Sequence, residues 1–287
     1  MGTEQPILWA LEGSNERRTT AIYLKPKFII DRDQNSFQTD EKGMIEGYIL
    51  YDYSTVKESQ LAVFAFLEND ATPIKIEMNG TVASYHMIDL PNEGGKKVPF
   101  TITNLPRGNH ILYIISEKVL NNTISDPLEI YDTQRTVARN FLSIKVQNER
   151  TETSTIPSSY ATIEKIQDLK NETSVIIQMY EDSTLTKEVD FINNIDDYFL
   201  TIENQYDFEM KAHLKLISDY ETLELQQILI PANAKVLVPT NFQAFHINKS
   251  ARIIMVAAPA EKLDVPYSLR VVKTTKRFPI ENHTNKR

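Results

Sequence analysis

Oxygen ligands at alternate positions are what a calcium-binding loop requires, because that spacing lets several side chains converge on one cation. The run Asp31-Arg32-Asp33-Gln34-Asn35-Ser36 followed by Asp40-Glu41 has that beginning. The match then breaks. Ser36 stands where the sharp turn wants glycine, and Lys42 occupies the place of the bidentate glutamate. Flanking helices are not expected either. A solvated acidic loop is the better reading, and Asp31, Asp33, Asn35 and Asp40 are the residues to inspect should an ion bind.

The other reactive residue types are scattered. His86, His110, His213, His246 and His283 show neither His-x-x-x-His nor His-x-His spacing, so no two imidazoles share a helical face or one side of a strand. Structural or surface histidines are expected. Asp182, Asp190, Asp196, Asp197, Glu203 and Asp207 make one region acidic. Two carboxylates facing each other across a cleft would suit glycoside hydrolysis, but closeness in sequence does not supply that geometry. Tyr180, Phe191, Tyr198, Phe199, Tyr206 and Phe208 lie among them. They are either a groove for a sugar or, more commonly for strand aromatics, core and cross-strand pairs. No serine sits in a Gly-x-Ser-x-Gly elbow.

Composition narrows the chemistry further. The 287 residues include no cysteine, which excludes disulfides, thiolate metal sites and thiol nucleophiles. No glycine follows Gly108, so the remainder of the chain holds no Gly-rich phosphate loop. The net charge of -8 argues against broad nucleic-acid binding. No apolar run approaches the roughly 20 residues that a membrane-spanning helix needs. No cofactor is expected. Asn-x-Ser/Thr triplets begin at Asn79, Asn121, Asn171, Asn248 and Asn282, a frequency that chance explains in a chain rich in Asn and Thr.

The elements that must position these residues are strands. From Thr20 onward, apolar residues recur with a period close to two in short runs between turn signals. Strands are predicted at 21–30, 43–53, 60–68, 73–78, 81–90, 97–103, 110–118 and 140–146. A second set falls at 160–166, 174–180, 187–192, 198–203, 207–217, 222–230, 235–238, 251–257 and 267–274. Asn79-Gly80 suits a tight hairpin, because both residues tolerate positive φ. Glu93-Gly94-Gly95 and Arg107-Gly108-Asn109 read as turns. A short helix over 159–170 competes with the strand at 160–166, since Ile163, Ile166 and Leu169 recur at helical spacing. Trp9 is expected to pack on the first domain.

The polar stretch 147–159, containing Pro157, reads as a linker. Two domains follow, 1–148 with an N-terminal extension and 149–287. Leu105-Pro106-Arg107-Gly108-Asn109-His110-Ile111-Leu112-Tyr113-Ile114, preceded by Val98-Pro99-Phe100-Thr101-Ile102, resembles the passage between late strands of immunoglobulin-like and fibronectin-like domains. The strand pattern on both sides of the linker implies an all-β chain of two tandem antiparallel sandwiches, and the resemblance implies that the first is immunoglobulin- or fibronectin-like, with Tyr113 near a sandwich corner. It says nothing of activity.

The expected function is a noncatalytic, extracytoplasmic or cell-surface binding or structural module, bacterial in origin, with a start compatible with removal of a leader or anchor. Its partners would be a protein or glycan ligand at a surface, or further copies of itself. The alternatives are a carbohydrate-active or metal-assisted hydrolase on a β scaffold and a subunit of an envelope assembly.

Overall fold

The computed structural model describes residues 17–31, 36–54, 59–68, 74–90, 93–106, 108–119, 141–148, 161–165, 175–190, 192, 197–218, 221–243, 247, 250–260, 271–275 and 278–279. The chain is all-β and divides into two compact units, Met1–Thr153 and Ser154–Arg287. Each is a pair of antiparallel sheets enclosing its own apolar core.

The first unit contains β1 (Arg17–Leu24), β2 (Ile29–Asp31), β3 (Ser36–Gln38), β4 (Ile45–Ser54), β5 (Ser59–Leu67) and β6 (Ile76–Met78). It continues with β7 (Thr81–Ala83), β8 (Tyr85–Leu90), β9 (Glu93–Ile102), β10 (Gly108–Lys118) and β11 (Phe141–Asn148). One sheet runs β1-β4-β9-β6-β7 and the other β2-β3-β11-β10-β5-β8. All described pairings in it are antiparallel except β3 with β11.

Pro26 divides what periodicity reads as one strand over 21–30. Its ring fixes φ and removes a donor, so a single 3₁₀ turn over Pro26–Phe28 intervenes and β2 enters the opposite sheet. Asn79 and Gly80, at φ 52° and 77°, form the hairpin loop between β6 and β7. Gly94 and Gly95 are no turn. They belong to β9 and pair with Tyr53 and Asp52 of β4, Gly94 taking up φ 109°.

Alternation delivers Ile45, Ile49 and Tyr51 from β4 to the core, opposite Leu61, Val63, Leu112 and Ile114 of the other sheet. Tyr51 is fully buried, and its hydroxyl lies 2.7 Å from Ser116 Oγ on β10. That bond joins the two sheets, as a disulfide does in antibody domains.

The second unit contains β12 (Ala161–Lys165), β13 (Val175–Tyr180), β14 (Asp197–Asn204), β15 (Met210–Ser218) and β16 (Glu221–Ile230). It ends with β17 (Ala234–Asn241), β18 (Ser250–Pro259), β19 (Val271–Thr274) and β20 (Phe278–Pro279). The sheets run β12-β17-β14-β13 and β16-β15-β18-β19, with β20 also against β18. Where helical spacing competed, 161–165 is a strand on the edge of β17, with a bulge between Thr162 and Glu164. Thr162 and Ile163 are β-branched, which favours the strand, while Ile166 and Leu169 lie outside the described residues. Among the described residues, the predicted strand 187–192 reduces to isolated bridges, at Glu188 with Tyr180 and at Ile192.

A polar loop joins β13 to that bridge. Asp182 accepts hydrogen bonds from the backbone of Thr184 at 2.8 Å and from Thr186 Oγ1 at 3.0 Å. The hydroxyl of Thr184, foremost, holds the Asp182 carboxyl below its ordinary range. Leu185 follows at φ 58°, a conformation that costs an L-residue about 1–2 kcal/mol. Leu185→Gly should therefore raise stability by about 0.5–1 kcal/mol in urea denaturation, the greater freedom of unfolded glycine offsetting part of the relief. A loss of stability would show instead that the leucine side chain contributes more by packing than its backbone costs.

Seven strands of each unit follow one path. Counted within the unit, β1, β4, β5, β8, β9, β10 and β11 give the orders 1-2-5 and 7-6-3-4, and β13 to β19 give the same two orders. The additions differ: the free edge of the fifth strand receives β6 and β7 in the first unit and β12 in the second.

Candidate binding surface

Sheet faces turned from the core distinguish themselves by what they leave open. In the first unit, the outer face of β5 and β10 carries Ala62, Phe64, Phe66, Tyr113, Ile115 and Glu117, none more than 1% exposed. Both faces of that part of the sheet are shut off from water. Tyr113 is thus no corner residue. It sits mid-strand, stacks on Phe66 with centroids 5.2 Å apart, and directs its hydroxyl to Glu68 Oε1 at 3.5 Å. In the second unit, β15 and β18 likewise bury His213, Lys215, Arg252, Ile254 and Val256 on the outer side.

The outer face of β1, β4 and β9 is different, since all its core-averted residues in the two rows below except Ala21 stay at least partly accessible. Register places Tyr23, Tyr48 and Pro99 in one row, and Ala21, Leu50 and Lys97 in the next. The Tyr23 and Tyr48 rings stack 4.7 Å apart at 14°. Lys97 Nζ lies 3.7 Å from the Tyr48 centroid, a cation–π contact. Tyr23 and Lys97 thus both pack on the Tyr48 ring. Farther across, Val82 of β7 is 57% exposed.

One end of this face carries charge. Glu46 pairs with Lys25, and with Lys27 at 3.7 Å. The Lys25 hydrogen bond, reinforced by the charges of both lysines, lowers the Glu46 pKa. The stabilisation from this pairing is present above the ordinary carboxylate range and is lost as pH falls through the lowered value. With the lysine side chains more than half exposed, solvent screening keeps it small.

The residues singled out in the sequence do not converge. Asp31 ends β2, while Asp33 and Asn35 lie outside the described residues. Asp40 caps a turn: its Oδ1 accepts the backbone N–H groups of Lys42 at 2.9 Å and Met44 at 2.8 Å. No group of three potential metal ligands occurs among the described residues. His86 Nε2 lies 2.7 Å from the Ile76 carbonyl, His110 lies in β10, and His213 is buried in β15. His246 and His283 fall outside the described residues.

Among the carboxylates, Asp197 and Glu203 stand at opposite ends of β14, about 20 Å apart at a strand's rise per residue. That separation is too wide for a glycosidase pair. Asp197 receives the Asn241 amide at 2.8 Å, Glu203 receives that of Gln205, and Asp190 and Asp207 are exposed. Asp196 and Phe191 lie outside the described residues.

The aromatics among them are mostly packed. Tyr198 meets Phe242 inside the core at 5.5 Å, and Tyr206 stacks on Phe208 at 5.0 Å against it. Tyr180 is buried, and loss of hydration raises its pKa, assisted by Glu188; Phe199 remains half-buried. Buried Asn204 orders the adjoining loops by donating to the carbonyls of Phe208 and Pro231, each at 2.9 Å.

Sequence reasoning passed over the grouping of Tyr23, Tyr48 and Lys97. Only the register of three strands, two of them distant in sequence, brings them together. The available signal was the outward position of Tyr23 and Tyr48 in alternating strands.

The fold is a tandem antiparallel sandwich, and this face is an accessible aromatic sheet surface among the described residues. No family model matches the chain, and no curated protein matches it in sequence. Among solved structures it is similar to the calcium-binding domain CBD12 of CALX1.1, at 7% identity and TM-score 0.24, over 85% of this chain and 82% of that one. It is also similar to the YadV chaperone, at 12% identity and TM-score 0.23, over 88% and 98% of the two chains. A third is the CsuC–CsuE chaperone–tip adhesion subunit complex of Acinetobacter baumannii, at 10% identity and TM-score 0.24, over 88% and 97%. Likeness at these values carries no argument about activity.

Proposed function

We propose that the chain is a noncatalytic, extracytoplasmic binding or structural module of a bacterial surface or envelope assembly, built as two sandwich domains. The observation that carries the binding role is the accessible β1-β4-β9 face, with its Tyr23–Tyr48–Lys97 stack beside Leu50 and Pro99. Aromatic and aliphatic side chains held rigidly in register lose little freedom on association, and a charged margin at Lys25, Lys27 and Glu46 orients a partner.

A protein partner fits better than a glycan. Sugars stack on an open aromatic face, and the Tyr48 ring is already engaged by Tyr23 and Lys97. The absence of three convergent metal ligands among the described residues, and the wide Asp197–Glu203 separation, favour binding over hydrolysis.

Site-specific photo-crosslinking in the producing cells tests this reading. A crosslinker at Pro99 should trap a protein adduct that the same group at Lys187 does not. Tyr48→Ser combined with Lys97→Glu should reduce that adduct at least about tenfold, the result of losing roughly 1.4 kcal/mol of association free energy. Equal labelling from both positions, or none from Pro99, would overturn it.

A further inference from the structure

Asn79-Gly80 is the only Asn-Gly pair in the chain. Both residues are exposed at the loop joining β6 to β7, and a Cβ placed on Gly80 meets nothing within 4 Å. The space a side chain at Gly80 would fill is open, and glycine itself offers no side chain to hinder attack at its main-chain nitrogen.

We propose that Asn79 is a modification site whose reaction is gated by the β6–β7 hairpin. The main-chain nitrogen of Gly80 attacks Cγ of Asn79, forming an N–C bond and surrendering its proton to solvent. The Cγ–Nδ2 bond breaks, and the side-chain nitrogen departs as ammonia. Water then opens the cyclic imide at one carbonyl or the other, leaving aspartate or isoaspartate. No oxidant, reductant or enzyme enters the balance.

The closed hairpin opposes the first step. With φ of 52° and 77°, the two loop residues adopt a type I′ turn, the mirror image of type I, for which ψ at the first residue is about +30°. Ring closure needs that peptide plane swung round until the Gly80 nitrogen reaches the side-chain carbonyl. Modification thus proceeds through the open hairpin, and its rate reports how often the hairpin opens. The element is suited to opening: β6 and β7 have three residues each, and β7 is the outermost strand of its sheet. Isoaspartate adds a backbone atom to a two-residue loop whose length fixes the Ile76–Ala83 and Met78–Thr81 register. The product should loosen β6 and withdraw Met78, which is 3% exposed, from the core.

The test follows isoaspartate formation by peptide mapping of the full-length protein at neutral pH. Three conditions are compared: native buffer, urea below the unfolding transition, and urea that unfolds the chain. Asn79 should be the dominant site in the unfolded chain. Native buffer should slow it by about tenfold or more, with the rate rising through sub-denaturing urea as local opening becomes easier. Equal rates in native buffer and unfolding urea would overturn the gate. An unmodified Asn79 in the unfolded chain, with other asparagines reacting first, would overturn the site.

Discussion

Gly47→Ala should destabilise the first unit by about 3 kcal/mol or more, at the upper end of what overpacking causes. A Cβ at that position would lie 2.2 Å from the main-chain oxygen of Tyr23, 3.0 Å from Leu24 Cδ2 and 3.1 Å from Phe100 Cζ. Leu24 and Phe100 can shift by a few tenths of an ångström. The Tyr23 oxygen belongs to β1, which pairs with β4 from Arg17↔Ser54 to Leu24↔Gly47, so relief requires peeling back the end of that strand. The same movement separates Tyr23 from Tyr48. Urea denaturation followed by near-ultraviolet circular dichroism should report a lowered midpoint together with a weakened tyrosine signal. An unchanged midpoint would mean that β1 does not approach β4 this closely.

The second large effect concerns the hydroxyl pair between the sheets. Tyr51→Phe should cost about 1–3 kcal/mol, because it leaves the buried Ser116 hydroxyl without this partner. Ser116→Ala should cost a similar amount by leaving the tyrosine hydroxyl in the same condition. The double variant should recover much of the loss, since replacing both partners with apolar groups removes the desolvation penalty with the bond. A double-mutant cycle measures the coupling. Strict additivity of the two single losses would show that the hydroxyls do not depend on each other.

Much of this architecture is legible in the chain because alternation is a local property. Val98, Phe100 and Ile102 announce an inward face wherever their strand eventually lies, and Asn79-Gly80 marks its turn without outside help. The departures arise where a neighbour decides the conformation. Glycines 94 and 95 read as a turn until β4 is available to pair with them. Residues 161–165 have apolar spacing shared by helix and strand, and β17 settles the choice.

The candidate surface was harder to see for the same reason. Tyr23 and Lys97 are far apart in sequence, and nothing near either announces the other. Buried polar residues were equally opaque: Glu117, Lys215 and Arg252 look like solvated charges in alternating strands, yet none exceeds 1% exposure. Periodicity identifies one buried face, and these residues lie on the side that it assigns to water.

The common strand path also limits how far the two halves can be aligned residue by residue. A vacancy beside the fifth strand is filled by a hairpin from mid-unit in one case and by the leading strand in the other. The pieces that complete equivalent borders consequently have no positional counterparts, and any alignment of the halves must break where the borders are completed. Kinship of design here resides in the route of the chain, a property that letter-by-letter comparison does not register.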